Sequence, residues 1–242
     1  EFAKEVTAGW SMDSRAIAID EADGSIYVAG SHRVSFTGDD RYAFVYKFTP
    51  EVSDGTDNSL GAANWTVIDD TNEAYTFSEI NDLDFDEDLN YLYAIGTCKA
   101  VVHLEGVSAT SVSTTSDAFL ATIIDVGVSG IVVDLRSGNA KPNGLMTGEG
   151  VSVEKVTHVL FLTGTHERKV PQAFFIPGID FLNTFTNNEH SYMIGFSFSG
   201  SISPWARNAA AGPSSSGWVK GVDVSNRSGR VYFLNEFSGN KL

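Results

Sequence analysis

The chain has 242 residues, 42% of them hydrophobic and 12% aromatic, which is enough apolar material for a sizeable core in an ordered domain. Its 31 acidic and 16 basic residues leave a net charge of -15, which opposes nucleic acid and anionic membrane surfaces and suits solubility, cations or basic partners. The longest apolar region, 118–135, is interrupted by Asp125, Gly127 and Gly130, short of the roughly 18 clean residues of a membrane helix, so no membrane insertion is expected. Cys98 is the only cysteine and excludes a disulfide within the chain, leaving pairing with a cysteine elsewhere open. The sequence opens on Glu1 with neither methionine nor an apolar signal segment, so a processed product or a piece of something longer is expected.

In chain order, residues 2–7 read as a leading strand, and Gly9-Trp10 bends the chain into the first full unit. There Ala16, Ile17, Ala18 and Ile19 form a short strand, Asp23-Gly24 is a two-residue hairpin signal, and 26–29 returns as a second strand ending at Gly30. The β-branched and aromatic run YAFVYKF, 42–48, predicts a third strand, and 65–68 around Trp65 a fourth. The same plan follows at 83–86, 91–95, 117–124 and 130–135, then at 151–154, 159–163, 192–198 and 202–206, and stops after 222–225 and 231–234. Helical periodicity is almost absent; 177–190 has room for one short turn.

The units are an internal repeat, approximately 11–70, 78–136, 148–208 and an incomplete 217–242. Tyr27, Tyr93, Phe161 and Tyr232 recur roughly 66 to 71 residues apart, and Gly30, Gly96, Gly164 and Asn235 follow each by three. Four short strands per repeat describe a β-propeller blade, so the fold class is all-β, a β-propeller or propeller segment of about 3.5 to 4 four-stranded blades in a single domain. The four aromatic anchors are then expected as core between blades. Predicted strands number fifteen with the leading one, one fewer than a closed four-bladed ring of sixteen, so a segment of a larger ring is favoured.

The residues DGSIYVAG with YAFVYKF and Trp65, and LNYLYAIG with DAFLATI, resemble the SBBP-type β-propeller repeat family. The third unit departs, with THVLFLTG, a linking loop of about 27 residues and SYMIGFSF. The resemblance covers most of the chain and implies a fold and an occurrence in secreted or surface proteins. It implies no catalytic residue.

Three constellations bear on chemistry. His32, Cys98 and His166 each follow the repeat glycine by two residues, and Phe237 holds the fourth such place. Neighbouring blades hold such positions too far apart for zinc, whose ligands sit at about 2.0 to 2.3 Å, so polar loop starts are expected instead. The turn acids, among them Asp20, Glu21, Asp23, Asp82, Glu87, Glu154 and Asp223, include weak calcium candidates at Asp84, Asp86 and Asp88; turn acids also satisfy local backbone donors without metal. No other cofactor is expected. Paired carboxylates suit glycoside cleavage only in opposed environments at a defined separation, and no nucleophile elbow, zinc helix or phosphate loop is present. His158 and His190 have no recognisable nucleophile beside them.

Asn64 and Asn226 head glycosylation sequons. The expected function is therefore a non-catalytic, secreted or cell-surface scaffold whose loops contact a protein partner or further blades of the same precursor. Candidate contact surfaces are the insertions 97–116 and 165–191, the second carrying Phe174, Phe175, Phe181 and Phe185, which equally suit capping the end of the stack. The alternative is a carbohydrate-binding or carbohydrate-cleaving propeller, with a glycan as partner.

Overall fold

The computed structural model describes residues 11–33, 41–49, 63–70, 77–110, 116–138, 144–167, 189–197, 204–209 and 216–238, and within them sixteen strands and no helix. Strands β1 (Met12–Ile19), β2 (Ile26–Arg33), β3 (Arg41–Phe48) and β4 (Trp65–Ile68) form an antiparallel meander. The second meander is β5 (Phe77–Asp86), β6 (Tyr91–Lys99), β9 (Asp117–Asp125) and β10 (Gly130–Ser137), with the hairpin β7 (Val101–Leu104) and β8 (Val107–Thr110) inserted between β6 and β9. The third is β11 (Met146–Glu154), β12 (Val159–Glu167), β13 (Glu189–Phe196) and β14 (Trp205–Ala209). A last hairpin pairs β15 (Ser216–Ser225) with β16 (Arg230–Ser238). One parallel pairing, Arg41 with Phe77, joins the first two meanders into one sheet, and no sheet closes on itself among the described residues.

The β5–β6, β11–β12 and β15–β16 hairpins turn through four residues whose last member has a left-handed backbone, Asn90, His158 and Gly229, with φ of 53°, 53° and 62°; in the first hairpin six residues separate β1 from β2, and Gly24, with φ of 76°, is the fifth. The turn at Asp23-Gly24 is thus wider than the two-residue loop its sequence suggests. The extra length lets Asp20 accept the Gly24 N–H at 2.8 Å and donate its own N–H to Ser25 at 2.9 Å.

Both strands of each hairpin run past the limits their alternation predicts. The first strand carries a β-bulge, between Ser14 and Ala16, Ile80 and Asp82, Gly148 and Gly150, and Val219 and Gly221. One extra residue reverses the inside-outside alternation, so the pattern read from sequence stops there while the strand continues. Gly30, Gly96 and Gly164 pair opposite the residues just before the bulge and lie inside their strands instead of ending them. A Cβ on these glycines would sit 1.9 Å from the Asp13 carbonyl oxygen, 2.0 Å from that of Glu79 and 1.9 Å from that of Thr147.

The units stack in series. Strand β5 packs across β1, β2 and β3; β11 packs across β5, β6 and β9; β15 packs across β11, β12 and β13. Three apolar clusters fill these contacts. The first combines Tyr27, Val45, Trp65, Phe85 and Phe119, the second Tyr93, Leu120, Val151, Val153 and Tyr192, and the third Val159, Phe161 and Val224. Tyr27, Tyr93 and Phe161 are buried because each faces the next unit. Tyr232 corrects the expectation for the fourth anchor: it is 56% exposed, since no described element follows β16 to cover it.

The segment 97–116 is also corrected. Its described part, 97–110, is not a free loop; β6 runs on to Lys99, and Val102, Leu104 and Ala109 of the β7–β8 hairpin are buried in the first cluster. The leading segment 2–7 lies outside the described residues, as do Phe174, Phe175, Phe181 and Phe185 of the second insertion.

The bulge and its facing glycine yield a direct test. Gly164→Ala is expected to lower the unfolding free energy by about 1–3 kcal/mol, the usual range for overpacking. Gly221→Ala, where a Cβ meets nothing within 4 Å, is expected to change it by less than about 0.5 kcal/mol. Urea unfolding of both variants reads the contrast, and equal losses would refute the steric argument.

Candidate functional site

A set of side-chain hydrogen bonds crosses the junctions between units. Because residues two apart on a strand share a face, Asp82, Asp84 and Asp86 of β5 project together toward the third meander. The Val151 N–H donates to Asp82 at 2.9 Å, the Val153 N–H to Asp84 at 2.8 Å, and the Ser152 hydroxyl to Asp84 at 3.2 Å. Asp86, fully buried, lies 2.7 Å from His158 Nδ1, and Lys155 Nζ reaches Glu87 at 2.8 Å. On the near side Arg15 donates to Asn81 at 2.8 Å, and Asn81 donates on to the Gly148 carbonyl at 2.8 Å. These links join residues separated by 66 to 72 positions, one repeat length.

Burial raises the Asp82 carboxyl to about 6, with the Asp84 and Asp223 charges adding to it, against the lowering pull of the Val151 and Leu83 N–H groups. Asp84 is raised for the same first reason, burial, while the Val153 and Phe85 N–H groups and the Ser152 hydroxyl oppose it. Asp82 and Asp84 are therefore held in the charged form only at a cost.

Asp125, at the end of β9, bolts the second meander to the first. It accepts from the Tyr27 hydroxyl at 2.5 Å, Lys47 Nζ at 2.5 Å, Trp65 Nε1 at 3.2 Å and the Gly127 N–H at 2.7 Å. Burial alone would push this carboxyl up; the Lys47 and Tyr27 hydrogen bonds outweigh it and hold the carboxyl below its ordinary value. Both side chains of the Lys47–Asp125 pair are only 5% exposed. The hub was not legible in the sequence, because its members come from β2, β3, β4 and β9 with no local pattern to link them.

The third feature is the outward face of the last hairpin. Gly221, Val222, Asp223, Tyr232, Phe233 and Leu234 line a shallow depression of about 400 Å³. Asp223 pairs with Tyr232 as Asp84 pairs with Tyr93, so this face repeats the face by which β5 and β6 hold the third meander. It offers apolar surface and one carboxylate, an arrangement suited to contact and lacking the two opposed carboxyls that acid–base chemistry needs.

The remaining candidate residues fall as follows. His32 packs against Tyr42 and Phe44, Cys98 is buried in the first cluster, and His166 packs against His190 and Tyr192, so the row occupies three separate surroundings. Of the calcium candidates, Asp84 and Asp86 accept hydrogen bonds from the third meander and from their own strand and turn, including the Leu89 N–H, whereas Asp88 is exposed in the turn. Among the described residues no group of three His, Cys, Asp or Glu side chains is placed to hold a metal ion. Asn64 and Asn226 are both exposed; Asn64 accepts from the Thr49 N–H at 2.7 Å and Asn226 from the Lys155 N–H at 3.0 Å. No helix of the described residues is long and apolar enough to cross a membrane. No family model and no curated protein matches the chain.

Two measurements check the junctions. Asp125→Ala leaves Lys47 buried without its carboxylate and is expected to cost about 3–5 kcal/mol of stability. Adding Lys47→Met should cost less than the sum of the two single losses; strict additivity would show that the pair does not act as a unit. Asp82 responds to pH in the opposite sense to Asp125. Its folded value of about 6 exceeds the unfolded value near 3.9, so its contribution is present below about pH 4 and is lost as pH rises through 6. The stability of wild type relative to Asp82→Ala is expected to decline between pH 4 and pH 8, and a flat difference would contradict the assigned burial.

Proposed function

We propose that the chain is a β-propeller segment of the SBBP-like kind whose stacked blades act as a non-catalytic, extracellular or cell-surface scaffold for protein contacts. The propeller reading is supported by the series packing of β5, β11 and β15, each across the first three strands of the unit before it. One observation carries the functional reading: the buried carboxylates Asp82, Asp84, Asp86 and Asp125 tie neighbouring units together and do not converge on a cavity. Residues used to fix blade angles are held rigid and desolvated, which serves presentation of a surface. Exposure of both sequon asparagines agrees with a secreted location.

The reading is tested on two fronts. On an oligosaccharide array and in a glycosidase screen the protein is expected to give neither saturable binding nor product, and in native extract it is expected to run in a particle heavier than its own 26.0 kDa. Saturable sugar binding lost in Tyr232→Ala would replace the scaffold by a carbohydrate-binding propeller.

A further inference from the structure

We propose that a second copy of this chain docks the free face of its β1 onto the outer face of β15 and β16, repeating between molecules the contact that the units make within one. The inference rests on the scaffold reading and names its partner. Its basis is the register of four equivalent hairpins. Ile17 and Ile19 of β1 hold the positions of Leu83 and Phe85 in β5, of Val151 and Val153 in β11, and of Val222 and Val224 in β15. Within the chain these positions are covered by the preceding unit: Leu83 is 5% exposed, Phe85 1%, Val151 2% and Val153 1%. In β1 no preceding unit exists among the described residues, and Ile17 and Ile19 are 62% and 52% exposed.

The other end shows the complementary lack. Tyr232 is 56% and Leu234 65% exposed, although Tyr27, Tyr93 and Phe161 at the anchor position are buried by the unit that follows. β1 therefore presents the face that β15 and β16 are shaped to receive, and both continue the internal series of contacts.

The polar groups and the space fit as well. Asp223 stands where Asp84 accepts the Val153 N–H, so it is placed to accept the Ile19 N–H of the incoming copy. Gly221 stands where Asp82 stands in β5, and a Cβ there would meet nothing within 4 Å, which leaves room for the side chain of Ile17. Ala18 replaces Ser152, so the hydroxyl bond to Asp84 has no counterpart. The contact is head-to-tail, with different patches on each partner; it closes into a ring where the rotation allows and otherwise extends.

Purified chain is examined by light scattering over a wide concentration range at about 0.15 M salt, where the charge of -15 on each copy is screened beyond about 8 Å. Wild type is expected to reach multiples of 26.0 kDa. The head variant Ile17→Glu/Ile19→Glu and the tail variant Tyr232→Glu/Leu234→Glu are each expected to remain monomeric with the circular dichroism of wild type. Mixed, they are expected to form a one-to-one dimer and nothing larger, because only one live head and one live tail remain. The proposal is overturned if wild type stays monomeric, if either variant alone still assembles with wild-type circular dichroism, or if two folded variants fail to pair on mixing. It is also overturned if native mass spectrometry of the extract particle finds a different protein on these faces; in that case the scaffold reading stands. Sugar binding, by contrast, would remove the scaffold reading while leaving the oligomer measurement to decide this one.

Discussion

The structure depends on the close approach of a first-strand carbonyl to a second-strand glycine. At Gly30, Gly96 and Gly164 the carbonyl oxygens of Asp13, Glu79 and Thr147 take the place of a side chain. That approach accompanies the bulge, and a bulge sharpens the local right-handed twist and re-aims the extra residue. Arg15, Asn81, Glu149 and Lys220 are the extra residues. Arg15 bonds Asn81, Asn81 bonds the Gly148 carbonyl, and Glu149 feels the charges of Lys220 and Arg15. A backbone device repeated in each hairpin thus sets one residue per unit along a common line. The last hairpin keeps the bulge with Asn235 at the glycine position, and Asn235 accepts from the Ser191 hydroxyl of the third meander at 2.6 Å.

Between units, apolar and charged groups do different work. Full burial of a large apolar side chain contributes about 1.5–3 kcal/mol, and each junction buries several, so the aromatic and branched residues supply the attraction. Buried ion pairs gain little net free energy over apolar substitutes. The Lys47–Asp125 pair and the β5 carboxylates instead impose direction: a carboxylate that must meet the N–H of Val151 or Val153 tolerates one register and no other. The two sets also oppose each other in pH response, Asp125 favouring the charged form and Asp82 and Asp84 the protonated one.

What was legible in the sequence was periodic: the strand hairpins and three of the four aromatic anchors, Tyr27, Tyr93 and Phe161. What was hidden breaks periodicity or spans distance. The bulge defeats alternation, although a charged or amide residue recurs there at the repeat spacing, and the pairing partner glycine looks like a strand end when only its flanks are read. The β7–β8 hairpin turns at Glu105-Gly106, both with positive φ, 50° and 80°. Such a turn normally announces itself by Asn-Gly or Asp-Gly, and glutamate in the first place masked it. Tyr232 matches its fellow anchors in sequence and differs in having no described element packed beyond it. Burial is a property of neighbours, which a single segment does not encode.

That asymmetry sets β1 and β16 apart from the other described strands. An unpaired strand beside exposed apolar side chains is a liability that proteins blunt with charge, proline, short length or cover. Among the described residues β16 is nine residues long, contains no proline and pairs only with β15. Its exposed positions run Arg230, Tyr232, Leu234, Glu236, with charge at the two ends and apolar bulk between. Blunting an edge would put charge at the centre, where a neighbouring strand would otherwise settle. Charge at the rim around an apolar middle is the arrangement of a surface suited to a partner, and the residues that could cover it in matching register are those of β1.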